Sequence, residues 1–418
     1  MKLKEALLNF CKGIGVGAVI LFGGCDGIQT TKTVEKQADT ISTFTLPEGA
    51  VPIVYVNHIH IPSDVDSISE NFVFDTGADG LYFDSTFFAT NTFREFKFLK
   101  GVLPGAGSGN PQQVIIITDT VNFKFKNYNN YFSFIPVFLL KPIVGDFADG
   151  ILGNKYFSNQ VLEINYFREY IRLHDDISTI DTSEYVKINM KKEGDRLYVP
   201  ATIHINDTVS IQDYLELDTG SAGSISIPSG TANKYNLSEN IANKVAYYTK
   251  YGGIRGHSSS FDFRAYSVEL GDYQLDGMVM EYSKDTKGSL AVSNHAGLLG
   301  NKILDRFDVV IDFVNNDLYL KPNPNFNKPS TFSKRGFTYV DRNATMNAWI
   351  VTGLYNGSNA EIAGLEIDDK ITSVNGIDIH QIPFKEQSEF WEKQDQVVLI
   401  VLRNGVEKRI EFDLKYVL

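Results

Sequence analysis

The chain has 418 residues and a formal net charge of -12. That is long enough for two or three domains and too acidic to hold a nucleic-acid backbone, which needs clustered Lys and Arg to displace counterions. Its 21 Tyr and 29 Phe, with abundant Val, Ile and Thr, favour strands over helices because branched and aromatic side chains fit a pleated surface.

Only two cysteines occur, both within the first 25 residues, so no pair is placed to staple a folded body by a disulfide. Lys2, Lys4 and Lys12 precede an apolar run from Gly13 to Gly24. This has the charge order and length of a secretory signal rather than of a membrane span. The run ends in Leu21-Phe22-Gly23-Gly24-Cys25, which resembles a bacterial lipobox. The resemblance implies a signal peptide over residues 1–24, a lipid on Cys25, and a place in the bacterial cell envelope, periplasmic or on the outer surface. Residues 25–45, rich in Thr, Lys and Gln, read as a tether.

The middle of the chain repeats itself. One copy begins Val51-Pro52-Ile53-Val54, reaches Phe72-Val73-Phe74-Asp75-Thr76-Gly77-Ala78, and continues to Ile151-Leu152-Gly153-Asn154-Lys155. The second begins Val199-Pro200-Ala201-Thr202, reaches Leu215-Glu216-Leu217-Asp218-Thr219-Gly220-Ser221, and continues to Leu298-Leu299-Gly300-Asn301-Lys302. Between these words each copy has a glycine cluster, with Gly105, Gly107 and Gly109 in the first and Gly252 and Gly253 in the second. The interval from Gly105 to Gly153 equals that from Gly252 to Gly300. Each copy closes on a strand pair, Val161-Leu162-Glu163-Ile164-Asn165 with Tyr170-Ile171-Arg172-Leu173, and Val309-Val310-Ile311-Asp312 with Leu318-Tyr319-Leu320. An Asp-Thr-Gly triplet alone is ordinary turn chemistry. Two, in matched context, define a duplicated lobe, residues 46–185 and 186–322.

These paired motifs resemble the aspartic peptidases of the pepsin and retropepsin type, over roughly residues 46 to 325. The resemblance implies a mainly β, bilobal β-barrel fold and an aspartic endopeptidase that needs no metal or organic cofactor. Asp75 and Asp218 become the catalytic pair. Thr76 and Thr219 cross-bond the two loops, and Gly77 and Gly220 allow their close approach. The two carboxylates would share one proton, so that one activates water and the other protonates. Ser221, opposite Ala78 in the other copy, is expected to donate to Asp218 and make it the more readily ionised partner. The glycine clusters fall where the family carries flaps. A Gly-x-Gly-x-Gly string also suits a phosphate loop, but β-like Val114-Ile115-Ile116-Ile117 follows where a helix would be needed. Both lobes lie in one chain, so a monomer suffices for the site.

His58 and His60 alternate along one strand, and with no third ligand in view an exposed strand face is expected for them rather than a metal site. No His-Glu-x-x-His, Gly-x-Ser-x-Gly or cysteine beyond residue 25 supports zinc, serine or cysteine chemistry. Residues 323–333, rich in Pro and Asn, read as a linker. Residues 334–418 resemble a PDZ domain through Gly357-Ser358-Asn359-Ala360-Glu361-Ile362-Ala363-Gly364-Leu365 and Asp369-Lys370-Ile371-Thr372-Ser373-Val374-Asn375-Gly376. That implies a carboxylate loop at Arg335, Gly336 and Phe337, a groove helix over about residues 383–392, and a C-terminal peptide as ligand. The expected partners are peptide or protein substrates and a membrane. The alternative is a non-catalytic peptide-binding lipoprotein using the cleft and the PDZ groove.

Overall fold

The computed structural model describes residues 44–91, 95–103, 112–253, 256–292 and 294–418. Strand makes up 46% and helix 15%, and the described strands form three sheets. None closes on itself among the described residues, so the expected barrel closure is replaced by sheets with two free ends.

Within each repeat the strand that leads into Asp-Thr-Gly sits between two others. Ile68–Phe74 pairs antiparallel with His58–Val65 and parallel with Gly150–Leu152. Ser210–Leu217 likewise pairs antiparallel with Arg196–His204 and parallel with Gly297–Leu299. The two short strands also pair antiparallel with Leu81–Asp84 and Ile225–Ile227 respectively. Phe72, Val73 and Phe74 are all buried, as are Leu215, Glu216 and Leu217, so these strands are covered on both faces as well as paired on both edges. Such strands read as unbroken runs rather than alternating ones.

The registers correct one correspondence between the copies. Ile61 lies opposite Phe72, and Val199 lies opposite Leu215. Ile61-Pro62, not Val51-Pro52, therefore matches Val199-Pro200. Val51–Pro52 instead pairs with Tyr170–His174 in a separate sheet. The error came from matching a short Val-Pro word without its strand partner. In that six-stranded sheet, Val161–Asn165 of the first repeat pairs antiparallel with Phe307–Asp312 of the second, so the closing strand pairs join the two copies. One hydrophobic core accordingly runs through both repeats, from Val51 to Leu320.

A second core, around Phe337, Trp349, Val351, Ile371, Trp391 and Val397, belongs to the C-terminal module. The segment expected as a helix over about residues 383–392 is a 3-10 turn, Phe384–Glu386, followed by the helix Gln387–Glu392. The stretch expected as a linker ends the sheet after Pro322 but is strapped to the second repeat. Arg306 Nη1 donates to the carbonyls of Phe326 and Lys328, Arg264 Nη1 donates to that of Ser330, and Phe332 is buried.

The module also continues a sheet of the second repeat. Lys244–Thr249, one arm of the glycine-tipped hairpin, pairs antiparallel with Ala348–Tyr355. Lys250 N and Asn356 N extend the ladder to Thr352 O and Ala246 O, at 2.8 and 2.9 Å. Gly353 is demanded by this contact, since a Cβ there would lie 2.3 Å from Tyr247 Oη and 2.7 Å from Thr338 Oγ1. Gly353→Ala is expected to break the 2.8 Å Tyr247–Thr338 bond and to lower stability by about 1–3 kcal/mol. Hydrogen exchange should quicken at Lys250 and Asn356 and stay unchanged in the hairpin formed by Gln396–Arg403 and Val406–Asp413.

Candidate active site

The two Asp-Thr-Gly loops are held alike. Asp75 N donates to Leu152 O and Asp218 N to Leu299 O, both at 3.0 Å. Ala78 N and Ser221 N close the turns onto Asp75 O and Asp218 O, both at 3.1 Å. Beneath them, Gly153 N donates to Gly80 O and Gly300 N to Ser224 O, both at 2.8 Å. The Ile-Leu-Gly and Leu-Leu-Gly words thus lie under the loops they were matched to in sequence.

The loops meet through their threonines. Thr76 N donates to Thr219 Oγ1 and Thr219 N to Thr76 Oγ1, each at 2.9 Å. Each hydroxyl donates onward across the junction, Thr76 Oγ1 to Leu217 O at 2.6 Å and Thr219 Oγ1 to Phe74 O at 3.0 Å. Both threonines are fully buried. Two asparagines that sequence reasoning quoted within the repeat but gave no role complete the frame. Asn154 Nδ2 donates to Thr76 O at 2.6 Å and to Asp195 O at 3.0 Å; Asn301 Nδ2 donates to Thr219 O at 2.7 Å and to Asn57 O at 3.0 Å. Their identical place after the glycine in both copies was the available signal.

This frame brings the two aspartates together. A Cβ on Gly77 would lie 2.6 Å from Asp218 Oδ1, and one on Gly220 would lie 2.4 Å from Asp75 Oδ1. Glycine is required at both places by close approach of the opposite carboxylate. Asp75 and Asp218 are partly exposed and hydrogen-bond to each other. Gly220 N donates to Asp218 Oδ1 at 2.9 Å. Asp75 Oδ1 is buried without a protein donor.

Two further side chains cross between the copies. His58 Nε2 hydrogen-bonds Gly220 O at 3.1 Å, and Arg196 Nη1 donates to Gly77 O. Their positions correspond, each one residue before the strand partner of the residue preceding the aspartate. Arg196 Nη1 is also paired with Glu216 Oε1 at 2.5 Å. The expectation of an exposed face for His58 and His60 is not met. His58 is half-buried, and His60 is buried with its ring edge-on to Phe147 and Phe384, at 5.2 and 5.3 Å. Burial, with a smaller contribution from His58, pushes His60 down to about 3. The apolar partners come from segments far away in sequence, which strand alternation cannot reveal.

Both carboxyls of the dyad are raised above the usual carboxylate range. Burial, reinforced by the Asp75 and Glu216 charges and by the hydrogen bond with Asp75, holds Asp218 well above the usual carboxylate range. Burial raises Asp75 too, but its hydrogen bonds with Asp218 and Gly77 N–H and the nearby Arg196 guanidinium oppose the rise. Ser221 Oγ makes no hydrogen bond to the carboxylate; it lies against Gly300, 2.8 Å from where a Cβ would be.

Of the remaining expected residues, Gly252 and Gly253 are at a hairpin tip, where Gly252 N donates to Gly256 O at 2.7 Å and Gly253 has φ +79. Gly105, Gly107, Gly109 and Cys25 lie outside the described residues. At the C-terminal loop, Gly336 has φ +75, its N–H donates to Ser333 Oγ, and its carbonyl accepts from Tyr355 N and Ser358 Oγ. The Arg335 guanidinium is stacked over Tyr339 and Trp391, and Phe337 is buried. No protein-family model matches the chain, and no curated protein is significantly similar to it in sequence.

Thr219→Val keeps the shape but removes the acceptor for Thr76 N and the donor to Phe74 O. Unfolding in urea is expected to show a loss of about 2–4 kcal/mol, since a buried amide and a buried carbonyl are both left bare. Asp218→Asn should do the opposite at neutral pH. A carboxyl raised in the folded state lends stability that is complete below its unfolded value near 3.8 and is lost as pH rises toward the folded one. The variant is therefore expected to resist urea better than wild type at pH 7, with the difference vanishing at about pH 3.

Proposed function

We propose that the chain is an aspartic endopeptidase that hydrolyses peptide bonds with the Asp75–Asp218 dyad, carried on a bilobal peptidase fold and followed by a PDZ-like module. The observation that carries this is the reciprocal Thr76–Thr219 bonding, which supports two carboxylates from different halves of the chain in hydrogen-bond contact at a solvent-reached surface. A structural pair of acids has no need of such a frame, because like charges at that distance oppose folding.

In this reading Asp75 is ionised and Asp218 protonated. Asp75 takes a proton from water as the water oxygen bonds to the scissile carbonyl carbon. Asp218 donates a hydrogen bond to the oxygen that gains charge. As the carbon–nitrogen bond breaks, the proton held by the dyad passes to the leaving nitrogen, and the carboxylates return to their starting state. The lipobox-like segment ending at Cys25 supports anchoring of the peptidase at a bacterial cell envelope. No helix among the described residues is long and apolar enough to cross a membrane. The PDZ-like module, continuous with the glycine-tipped hairpin, would recruit substrates or govern access.

The purified chain is expected to cleave components of a diverse peptide mixture, with Asp75→Asn and Asp218→Asn each reducing turnover by about a hundredfold or more. The acid limb of the pH profile should lie above the ordinary Asp value, because Asp75 must ionise and its carboxyl is raised. The basic limb should likewise lie above the ordinary Asp value, because in this reading Asp218 must keep its proton and its carboxyl is raised. Cleavage that survives both substitutions would exclude the dyad. A wild-type protein that binds peptides without cutting them at any pH would favour a binding lipoprotein instead.

A further inference from the structure

We propose that the Arg196–Glu216 ion pair is the positioning element that makes the two halves of the dyad unequal, giving Asp75 the part of base and Asp218 the part of acid. This deepens, and rests on, the aspartic-peptidase reading.

The argument is one of broken symmetry. Thr76 with Thr219, Asn154 with Asn301, and Gly77 with Gly220 make matching bonds around the junction. A frame of that kind treats the two carboxylates alike. The cross-struts do not. Where the second repeat has Arg196, the first has His58; where the second has Glu216, two residues before Asp218, the first has Val73, two residues before Asp75. An ion pair in one half thus corresponds to an imidazole and an isopropyl group in the other.

The ion pair is oriented as well as one-sided. Its cationic end reaches Gly77 O, in the loop that carries Asp75. Its anionic end, 2.5 Å from Arg196 and nine-tenths buried, sits on the strand that delivers Asp218. Alternation along that strand turns Glu216 and Asp218 toward the same side. Both charges reach both carboxylates, Glu216 opposing ionisation of Asp75 as well, but Arg196 is bonded to the loop of Asp75 and Glu216 stands on the strand of Asp218, so their difference favours ionisation of the first and retention of the proton on the second. His58, half-buried and bonded through Nε2 to Gly220 O, offers Asp218 a dipole in place of a charge.

The other titratable groups facing this pair are His295, whose Nε2 is 3.9 Å from Glu216 Oε2, Asp79 and Tyr82 in the first repeat, and Tyr198 on the strand of Arg196. Asp79 is engaged by Tyr82 and lies 3.8 Å from Lys155. His60 is the titratable neighbour of His58. None of these spans the dyad with opposite charges at its two ends.

The test titrates the full-length chain labelled with [4-13C]aspartate, the dyad signals being assigned from Asp75→Asn and Asp218→Asn. Wild type is expected to show Asp75 titrating at lower pH than Asp218. In Arg196→His the Asp75 midpoint should rise by roughly one pH unit or more, with Arg196→Lys restoring most of the difference. In Glu216→Gln, which keeps shape and drops the charge, the Asp218 midpoint should fall. A mere strut would change the unfolding midpoint and leave the order of titration alone. Midpoints in Arg196→His and Glu216→Gln that coincide with wild type, in protein with an unchanged near-ultraviolet spectrum, overturn the proposal. Because the carboxyl signals are read without substrate, the outcomes separate. Sensitive midpoints in a protein that cleaves nothing keep the ion-pair assignment and sink the peptidase reading, while cleavage with insensitive midpoints sinks the ion-pair assignment alone.

Discussion

Thr76 and Thr219 are sealed from water, so their hydroxyls and amides must find partners inside the protein or leave the fold with several bare polar groups, at about 1–3 kcal/mol each. They find them in each other and in the carbonyls of Phe74 and Leu217. Because those carbonyls belong to the residues just before the two aspartates, the bonds fix both loops at once. Much of the surrounding structure serves this junction. The parallel strands Gly150–Leu152 and Gly297–Leu299 hold the aspartate amides, the asparagines hold the threonine carbonyls, and the glycines leave the room. The six-stranded sheet joins the repeats by a long antiparallel ladder away from the loops.

A frame so nearly symmetric would leave the shared proton equally at home on either carboxylate. The departures from symmetry are few and lie close to the carboxylates: His58 for Arg196, Val73 for Glu216, Ala78 for Ser221. The last of these draws the eye in sequence because a hydroxyl follows the motif, but in space that hydroxyl lies against Gly300, while the Arg196–Glu216 pair has no counterpart in the first repeat. At short range, orientation decides a hydroxyl's influence, whereas a charge acts in every direction.

The C-terminal module is tied to both repeats. Its strand Ala348–Tyr355 extends the hairpin of the second repeat, while Arg342 Nε and Thr345 N donate to a buried Asp146 of the first at 2.8 Å each. Phe384, just before the helix Gln387–Glu392, is stacked on Phe147 at 4.3 Å. Within the module Trp391 Nε1 and Gln387 Oε1 both bond Tyr339 Oη, so helix and strand are linked directly. Any motion of the glycine-tipped hairpin at Gly252 and Gly253 therefore involves the module as well as the second repeat.

The sequence by itself determined the predominance of strand, the duplication, the pairing of Asp75 with Asp218, and the glycines and threonines around them. These are local words in fixed order, and each word carries its own steric or hydrogen-bonding demand. It also located a helix near the end of the module, Gln387–Glu392. It misplaced the opening strand of the first repeat, since Val51-Pro52 and Ile61-Pro62 look alike until a strand partner is assigned. It left His60 on an exposed face, because the aromatic rings that bury it come from residues 147 and 384. The Arg196–Glu216 pair and the union of module with hairpin belonged to tertiary structure alone, and so did the partners of the asparagine clamps, whose matched positions were visible in sequence. Each depends on groups far apart in the chain, and only the folded register sets which carbonyl, charge or strand edge lies within reach.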